Sequence, residues 1–202
     1  MRQDLPHAGN MLCSLDTSQG DETGSFRARR SPTEILLEIA DLVVRDNSSL
    51  DLFKDLAPRL QELTGCDFAV FSLHDPTHDC IITHFWKTGK ETGALDAFPV
   101  DECISGWVWK KQQPMTMPDL DHDPRFPKCA PLLLKHGVRS YASVPMSTAQ
   151  RRYGALGIGK NVKEASDIHQ TPFLSRVAQM VALALENQDI RRSVQEQQER
   201  LK

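Results

Sequence analysis

The segment Asp101–Met146 reads DECISGWVWKKQQPMTMPDLDHDPRFPKCAPLLLKHGVRSYASVPM and carries most of the information about the fold. Within it, two apolar strand-like segments, Met115–Met117 and Val138–Met146, bracket a polar loop, Asp119–Lys128, and a short helix-like run. A long loop held between core strands is a common place for a small-molecule site. The sequence therefore predicts that the functional site lies in this segment.

On both sides of this segment, apolar residues recur at helical or strand spacing. Two predicted hairpins with helices at both ends indicate an α+β fold with an antiparallel sheet. The predicted elements are, in order, a helix from Ser31, a helix over Leu52–Leu63, strands over Asp67–Leu73 and Cys80–Trp86, a short helix over Ser105–Lys111, strands over Val138–Met146 and Tyr153–Lys160, and a helix from Pro172.

The two ends of the chain differ from its middle. Residues 1–30 are rich in Gly, Ser, Asp, Gln and Arg, which predicts a mobile tail before a globular domain over residues 31–187. Residues 188–202 are polar but continue a heptad spacing, which predicts a C-terminal signalling helix that starts a coiled coil and forms a homodimer. The alternative is an ordinary solvated helix end. The heptad positions are Leu183, Asn187, Ile190, Val194, Gln197 and Leu201.

Composition narrows the functional classes. Of the 202 residues, 25% are charged and 40% are hydrophobic, with a formal net charge of -3, which argues against direct nucleic-acid binding. The sequence has neither an apolar stretch that could span a bilayer nor a visible secretory signal, so we expect no membrane partner. The five cysteines, with no CxxC, suggest reduced thiols and a cytoplasmic location. They are Cys13, Cys66, Cys80, Cys103 and Cys129.

A series of short motifs, in this order and spacing, resembles the GAF domain family, whose members are relatives of PAS domains. The resemblance covers roughly Thr33 to Asn187. The motifs are Gly65-Cys66-Asp67, Ser105-Gly106-Trp107-Val108, Pro118-Asp119-Leu120, Asp123-Pro124-Arg125-Phe126, Gly137-Val138-Arg139-Ser140, Val144-Pro145-Met146, Gly154-Ala155-Leu156-Gly157 and Ala182–Asn187.

The resemblance implies a central antiparallel sheet of about six strands. It places the terminal helices on one face of this sheet and pocket-forming loops on the other. It further implies a domain that senses a small molecule and relays the ligand state to an output module, which is missing from this chain. The chain resembles the N-terminal sensor regions of bacterial regulators, including sigma-54-dependent transcription activators and histidine kinases.

Position within this fold defines the candidate ligand site. On the strand Val138–Met146, Arg139, Tyr141 and Ser143 share one face, and the other face is apolar and should pack on helices. Aromatic walls with one arginine and hydroxyl groups suit a small ligand, including an anionic one. The alternative is that Arg139 pairs with a loop aspartate. The predicted ligand-binding residues are His84, Trp86, Cys103, Trp107, Phe126, Arg139, Tyr141 and Ser143.

The sequence lacks a convincing catalytic set. Free methionine-(R)-sulfoxide reductases occur in the family, and the resemblance places their nucleophile at Ser105. Cys103 lies two residues earlier and Cys129 lies in the loop, but Asp101 and Glu102 would raise the pKa of a thiol at Cys103. We therefore expect a non-enzymatic sensor. A thiol-dependent reductase and a ligand-free dimerisation module are the alternatives.

Cofactor motifs are incomplete. The cyclic-nucleotide motif of the family is broken around Lys160-Asn161-Val162, and Cys129 with His136 is a poor match to a bilin site. Cys80 and His84 share a strand face and could bind a metal or haem with His136, although a structural histidine is commoner.

Three alternating aspartates, Asp119, Asp121 and Asp123, are similar to the start of a calcium loop. The positions that require glycine and glutamate hold Pro124 and Ala130, so calcium binding is not expected. No metal ligands are predicted, and the cofactor stays unknown.

Overall fold

The computed structural model describes residues 32–44, 48–88, 90–163 and 171–201. The predicted mobile tail, residues 1–30, and the predicted helix start at Ser31 lie outside these ranges. The helices are α1 (Pro32–Val44), α2 (Ser49–Thr64), α3 (Ile104–Lys111), α4 (Ala130–Lys135) and α5 (Thr171–Arg200). The strands are β1 (Phe68–Asp75), β2 (Cys80–Lys87), β3 (Lys90–Pro99), β4 (Met115–Met117), β5 (Ser140–Ser147) and β6 (Arg152–Lys160).

These strands form one six-stranded sheet in the order β3-β2-β1-β6-β5-β4. Every neighbouring pair is antiparallel. The predicted α+β fold with a central antiparallel sheet of about six strands is confirmed.

The sheet separates two apolar cores. On one face, Phe71 of β1 and Val144 of β5 pack in one cluster with side chains of α2 and α5. On the other face, Val70 of β1 and Tyr141 of β5 pack with side chains of α3, β4 and α4. Because successive side chains of a strand point to opposite faces, β1 and β5 each contribute to both cores. The predicted arrangement of terminal helices on one face and loop elements on the other is therefore present.

The edge strand β3 was not predicted from the apolar pattern. Its sequence, KETGALDAFP, has few of the β-branched and aromatic residues that favour strands. It forms by pairing with β2, and the register shifts twice along that pair. Pairing with an apolar neighbour, rather than local propensity, determines this strand.

The C-terminal helix α5 runs without interruption for 30 residues. Its first half is buried against the sheet through residues such as Val177, Val181 and Leu185. Beyond Leu185 the heptad positions are exposed, with Ile190 at 56% and Val194 at 47% relative exposure. Among the described helices, none combines the length and apolar character that crossing a membrane requires.

Candidate functional site

The amino end of α3 depends on two close contacts. Cys103 caps the helix, because its Sγ accepts the backbone N–H of Gly106 at 3.3 Å. A Cβ atom on Gly106 would lie 2.0 Å from the carbonyl oxygen of Val100. Only glycine therefore allows the preceding turn to pack against α3, and this packing holds Ile104 and Ser105 buried over the sheet.

A small cavity lies between the sheet and the layer formed by α3 and α4. Its volume is about 20 Å³, which is room for about one water molecule. The lining is apolar except for hydroxyl and thiol groups, and it includes no charged side chain among the described residues. The lining residues are Val70, Thr83, Phe98, Cys103, Ile104, Ser105, Cys129, Leu132, Leu133 and Tyr141.

Buried hydroxyl groups from two strands and α3 meet beside this cavity, and those of Thr83 and Ser105 line it. Ser72 donates to Ser105, with 2.8 Å between the two Oγ atoms. The Oγ of Ser72 also lies 3.1 Å from Oγ1 of Thr83. Since the single hydroxyl proton of Ser72 is used on Ser105, Thr83 is the donor in the second bond. The hydroxyl of Ser105 then donates its own proton towards the phenol oxygen of Tyr141. We call Ser72, Thr83, Ser105, Tyr141 and Ser143 the hydroxyl cluster.

Tyr141 and Ser143 form the β5 side of the hydroxyl cluster. Tyr141 is fully buried, and its burial raises the pKa of its phenol, so it is a neutral donor at physiological pH. The Oγ of Ser143 is close enough to favour the ionised form of Tyr141, yet it makes no well-formed hydrogen bond. A buried hydroxyl without a partner costs about 1–3 kcal/mol. The cluster therefore has hydrogen-bonding capacity that the protein itself does not use.

The two cysteines of the cavity are protonated thiols. Burial raises the pKa of Cys103 to about 12, and the Gly106 N–H offsets this only partly. Glu102 contributes in the predicted direction but less than burial does. Burial likewise raises the pKa of Cys129. Thiolate is the reactive form of cysteine, so neither side chain is activated as a nucleophile in this conformation.

The eight predicted ligand-binding residues divide into three groups. Cys103 and Tyr141 line the cavity. Phe126 and Trp107 belong to the same core without lining the cavity, and Ser143 lies beside Tyr141. His84, Trp86 and Arg139 lie elsewhere.

His84 and Trp86 lie on the opposite face of the sheet from the cavity. The register of β1 and β2 places Trp86 opposite Ala69 and His84 opposite Phe71. Ala69 and Phe71 belong to the helix-side core, and Trp86 packs against that core. The expectation that they face the pocket is therefore corrected, and Thr83 takes their place in the cavity wall.

Arg139 pairs with a loop aspartate, which is the alternative that the sequence left open. It lies just before β5, and its Nη1 atom is 2.9 Å from Oδ1 of Asp121. Lys163 completes a surface network, at 3.0 Å from Asp119 and 2.9 Å from Asp121. A hydrogen bond from His122, followed by one from Lys163, lowers the pKa of Asp119 to about 2. Arg139 thus holds the loop and contributes no charge to the cavity.

The candidate metal residues are dispersed or already paired. Asp123 forms an ion pair with Arg125, and the other two loop aspartates are paired as above. His136 packs against the Phe85 ring on the loop side, whereas His84 lies on the helix side. Within the described ranges, no group of three or more His, Cys, Asp or Glu side chains is arranged to hold a metal ion.

The residues that sequence reasoning missed come from separate parts of the chain. The sequence predicts only strand positions for Ser72 and Thr83, and the family resemblance makes Ser105 the counterpart of a reductase nucleophile. Leu132 and Leu133 of α4 close the cavity from outside. The signal for Ser72 is a hydroxyl inside an otherwise apolar strand, Phe68–Leu73, because a buried hydroxyl needs a partner.

A comparison with models of known protein families identifies the family of this chain. The family model described as "GAF domain" matches residues 46–186. The chain belongs to the GAF domain family. No curated protein sequence matches this GAF domain at a significant level.

Solved structures of other GAF domains superpose well on this one. A free methionine-R-sulfoxide reductase from Neisseria meningitidis, solved with its substrate, is 21% identical at a TM-score of 0.64, over 78% of this chain and 89% of that one. The GAF domain of a phosphoenolpyruvate-protein phosphotransferase from Coxiella burnetii is 17% identical at a TM-score of 0.63, over 80% of this chain and 96% of that one. The fRMsr of Staphylococcus aureus, in its reduced form, is 15% identical at a TM-score of 0.60, over 76% of this chain and 94% of that one.

These neighbours correct one expectation from the sequence. The conclusion that the chain is not an enzyme is wrong, because the structures that its GAF domain resembles include free methionine-R-sulfoxide reductases. At 15–21% identity the resemblance shows the fold and does not carry the reaction over to this chain. The GAF fold itself supports a sensing or regulatory domain.

Proposed function

We propose that this GAF domain binds a small molecule at the hydroxyl cluster and acts as a regulatory sensor. The observation that carries the proposal is the concentration of buried hydroxyl groups, one of them without a well-formed hydrogen bond, in an otherwise apolar core. Buried polar groups are normally satisfied, and exceptions are often functional. A ligand with both donor and acceptor atoms would satisfy them.

The lining restricts the chemistry of the ligand. Because no charged side chain lines the cavity in the described part of the chain, an ionised ligand would be buried without a counter-charge, at a high energetic cost. Arg139 is engaged with Asp121 at the surface and supplies no such counter-charge. We therefore expect a neutral, compact molecule with a few hydrogen-bonding atoms, in place of the anionic ligand that the sequence also allowed.

Binding requires the cavity to open. A volume of about 20 Å³ holds no more than about one water molecule, so a ligand must displace part of the wall. The wall formed by Leu132 and Leu133 belongs to α4, a helix of six residues flanked by loop. We propose that α4 moves outward on binding. The ligand then selects the open state to the extent that it binds that state more tightly.

The sheet offers a direct route from the cavity to α5. Tyr141 and Ser143 of β5 belong to the hydroxyl cluster, whereas the alternating residues Ala142 and Val144 pack in the helix-side core with α5. A shift of β5 that accommodates a ligand therefore changes the surface on which α5 rests. We propose that α5 carries this change to an output module of a cytoplasmic bacterial signalling or transcription regulator.

The exposed stripe of α5 suits pairing with a second copy of this chain. Leu183, Ile190 and Val194 keep heptad spacing and are each about half exposed, at 52%, 56% and 47%. Apolar heptad positions are stabilised when a partner helix covers them. In analytical ultracentrifugation, Ile190→Glu with Val194→Glu should convert a dimer to a monomer. Arg192→Glu makes the same change of two charge units on the side of α5 opposite the stripe and should leave the dimer intact. A wild-type monomer at all concentrations would refute the dimer.

Thiol-dependent reduction is the second candidate. It is favoured because Cys103 and Cys129 line the same cavity and because the fold neighbours include reductases. The raised pKa of Cys103 and the presence of serine at position 105 are unfavourable to it. Turnover of free methionine-R-sulfoxide with dithiothreitol, abolished in a Cys103→Ser and Cys129→Ser variant, would establish this candidate.

The binding proposal is tested by a thermal-shift screen of neutral small molecules, followed by calorimetry. Thr83→Val removes one hydroxyl of the cluster at nearly constant volume. Loss of one hydrogen bond should weaken binding by about threefold to tenfold. Thr116→Val, on β4 and outside the cavity lining, is the matched control and should bind normally. Binding that Thr83→Val leaves unchanged would place the ligand elsewhere.

A further inference from the structure

The hydrogen bonds of the hydroxyl cluster run in one direction. A hydroxyl group has one proton to donate and two lone pairs with which it accepts. Ser72 donates to Ser105, so it accepts from Thr83. Ser105 in turn donates towards the phenol oxygen of Tyr141. Thr83 is therefore the first group of this series of hydrogen bonds and Tyr141 is the last, and we call the four groups the hydroxyl relay.

The Tyr141 end of the relay offers a donor. Burial raises the pKa of this phenol, so its O–H proton is retained at neutral pH. Ser105 is itself a donor to the phenol oxygen, and Ser143 does not accept the proton, because its Oγ makes no well-formed hydrogen bond. Tyr141 also lines the cavity. A molecule in the cavity therefore meets an O–H group that needs an acceptor.

The Thr83 end of the relay offers an acceptor. The proton of Thr83 is directed at Ser72, with 3.1 Å between the two oxygens, and no member of the relay donates to Thr83 in return. Thr83 lines the cavity as well. The lone pairs of its Oγ1 suit an N–H or O–H of a ligand, whereas a ligand acceptor at this position would compete with Ser72 for a single proton.

The length of the tyrosine side chain brings the two ends of the relay to one cavity. Thr83 belongs to β2 and Tyr141 to β5, and β1 and β6 lie between these strands in the sheet. The phenol lies over β6, where a Cβ atom on Gly157 would be 2.0 Å from its oxygen. Because Gly157 has no side chain, the phenol can reach across β6 towards Ser105. The donor end and the acceptor end therefore face one small volume.

The two thiols of the cavity leave this polarity unchanged. The Sγ of Cys103 accepts the N–H of Gly106 at 3.3 Å. The N–H of Ile104 hydrogen-bonds to Cys129 and lowers the pKa of that thiol against the larger effect of burial. Both sulfurs are thus engaged by the amino end of α3, and an S–H group is only a weak donor. Apart from the relay and these thiols, the described side chains that line the cavity are apolar.

We propose that the cavity binds a neutral amide or lactam in one orientation, with its carbonyl oxygen at Tyr141 and its N–H at Thr83. This inference rests on the proposed binding at the hydroxyl cluster and names the chemical class of the ligand. An amide carries an acceptor and a donor side by side without a charge, which matches both ends of the relay and the uncharged lining. In the reverse orientation the N–H would face the phenol O–H, and two buried donors would lack an acceptor.

The test uses the full chain and three uncharged five-membered rings. 2-Pyrrolidinone has both a carbonyl and an N–H, cyclopentanone has only the carbonyl, and pyrrole has only the N–H. NMR titration of the ¹⁵N-labelled protein measures the dissociation constant of each compound. In the wild type, 2-pyrrolidinone should bind about threefold to tenfold more tightly than either of the other two, because each of them lacks one hydrogen bond.

Two conservative variants then test the orientation. Tyr141→Phe removes the donor and should weaken 2-pyrrolidinone and cyclopentanone by about threefold to tenfold, with pyrrole unchanged. Thr83→Val removes the acceptor and should weaken 2-pyrrolidinone and pyrrole by the same factor, with cyclopentanone unchanged. Tyr153→Phe makes the same change as Tyr141→Phe in the helix-side core, so it should leave all three affinities as they are. A variant that fails to fold is recognised because it loses all three compounds together, and the ranking of the compounds in the wild type needs no variant.

The opposite selectivity would overturn the proposed polarity. This result is a loss of pyrrole binding in Tyr141→Phe, or a loss of cyclopentanone binding in Thr83→Val, and it would leave the hydroxyl cluster as the binding site. Equal binding of the three compounds to the wild type would also overturn it. If none of the three compounds binds, the amide class is wrong. The proposal of a site at the hydroxyl cluster fails separately, when the wider screen of neutral molecules finds no ligand that Thr83→Val weakens.

Discussion

Gly157 of β6 gives the sharpest test of how the hydroxyl cluster is built. A Cβ atom at this position would lie 2.0 Å from the hydroxyl oxygen of Tyr141 and 2.5 Å from its Cζ. Tyr141 is 1% exposed, so its ring cannot swing into solvent without opening the core. Gly157→Ala should therefore push Tyr141 out of its place beside Ser143.

Two opposing effects decide how much Gly157→Ala changes the free energy of unfolding. Replacing glycine by alanine within a strand stabilises the folded protein by about 0.5–1 kcal/mol, because alanine loses less conformational freedom than glycine when the chain folds. Overpacking a buried site costs about 1–3 kcal/mol. The clash is at 2.0 Å, so we expect the larger part of that range and a net loss of about 1–2 kcal/mol in the free energy of unfolding. In a Tyr141→Leu background the clash is removed, and Gly157→Ala should be neutral or slightly stabilising.

The assay is urea unfolding of the two single variants and the double variant, analysed as a double-mutant cycle. A coupling energy of about 1–3 kcal/mol is expected between Gly157 and Tyr141. Tyr153 provides a matched control, since it is buried on the other face of the sheet. Gly157→Ala should keep its full cost in a Tyr153→Leu background. Additive effects at Gly157 and Tyr141 would refute the described packing of the cluster.

Three further predictions concern the titration of a loop carboxylate, the reactivity of the cavity thiols and the unpaired hydroxyl of Ser143. Asp119, hydrogen-bonded to His122, has a folded-state pKa of about 2, below its ordinary value of about 3.9. Its stabilising contacts should therefore be complete above about pH 4 and lost as pH falls towards about 2, as NMR titration of the carboxyl carbon can show. Cys103 and Cys129 should react with iodoacetamide at neutral pH only on unfolding, measured by peptide mass mapping. Ser143→Ala should raise the free energy of unfolding, by up to about 1–3 kcal/mol, since it removes a buried hydroxyl that makes no well-formed hydrogen bond.

Each of these predictions has its own control. An Asp119 carboxyl that titrates near its ordinary value would contradict the ion-pair network of the loop. Cys80 is only half-buried and should be alkylated before Cys103; the reverse order would contradict the burial of the cavity thiols. Ser72→Ala should cost about 1–3 kcal/mol, because it leaves two buried hydroxyls without their partner. Equal costs for the Ser72 and Ser143 substitutions would contradict the assigned hydrogen bonds.

The side of β5 that faces the cavity could be predicted because one of its faces is apolar. Ala142 and Val144 belong with the helices, so the alternation of the strand sends Tyr141 to the other face. The same reasoning failed at β2, where Phe85 on one face and Trp86 on the other are both large and apolar. Pairing with β1 decides the orientation there, and this register is not visible in the sequence of β2.

The hydroxyl cluster itself could not be predicted, since its members are far apart in the chain. The hydrogen bond from Ser72 to Ser105 joins residues 33 positions apart. The alternation of the sequence predicts Arg139 within the strand, but β5 begins one residue later, at Ser140. Its side chain is therefore directed by the loop carboxylate Asp121 instead of by the pleat of the sheet.

The central claim is that the cavity at the hydroxyl cluster binds a neutral small molecule. Native mass spectrometry of the full chain, incubated with the compounds selected by the thermal-shift screen, tests it most directly. The account predicts one adduct per chain in the wild type and in Thr116→Val, and clearly reduced occupancy in Thr83→Val. The absence of any adduct, or an adduct that Thr83→Val binds as well as the wild type does, would contradict it.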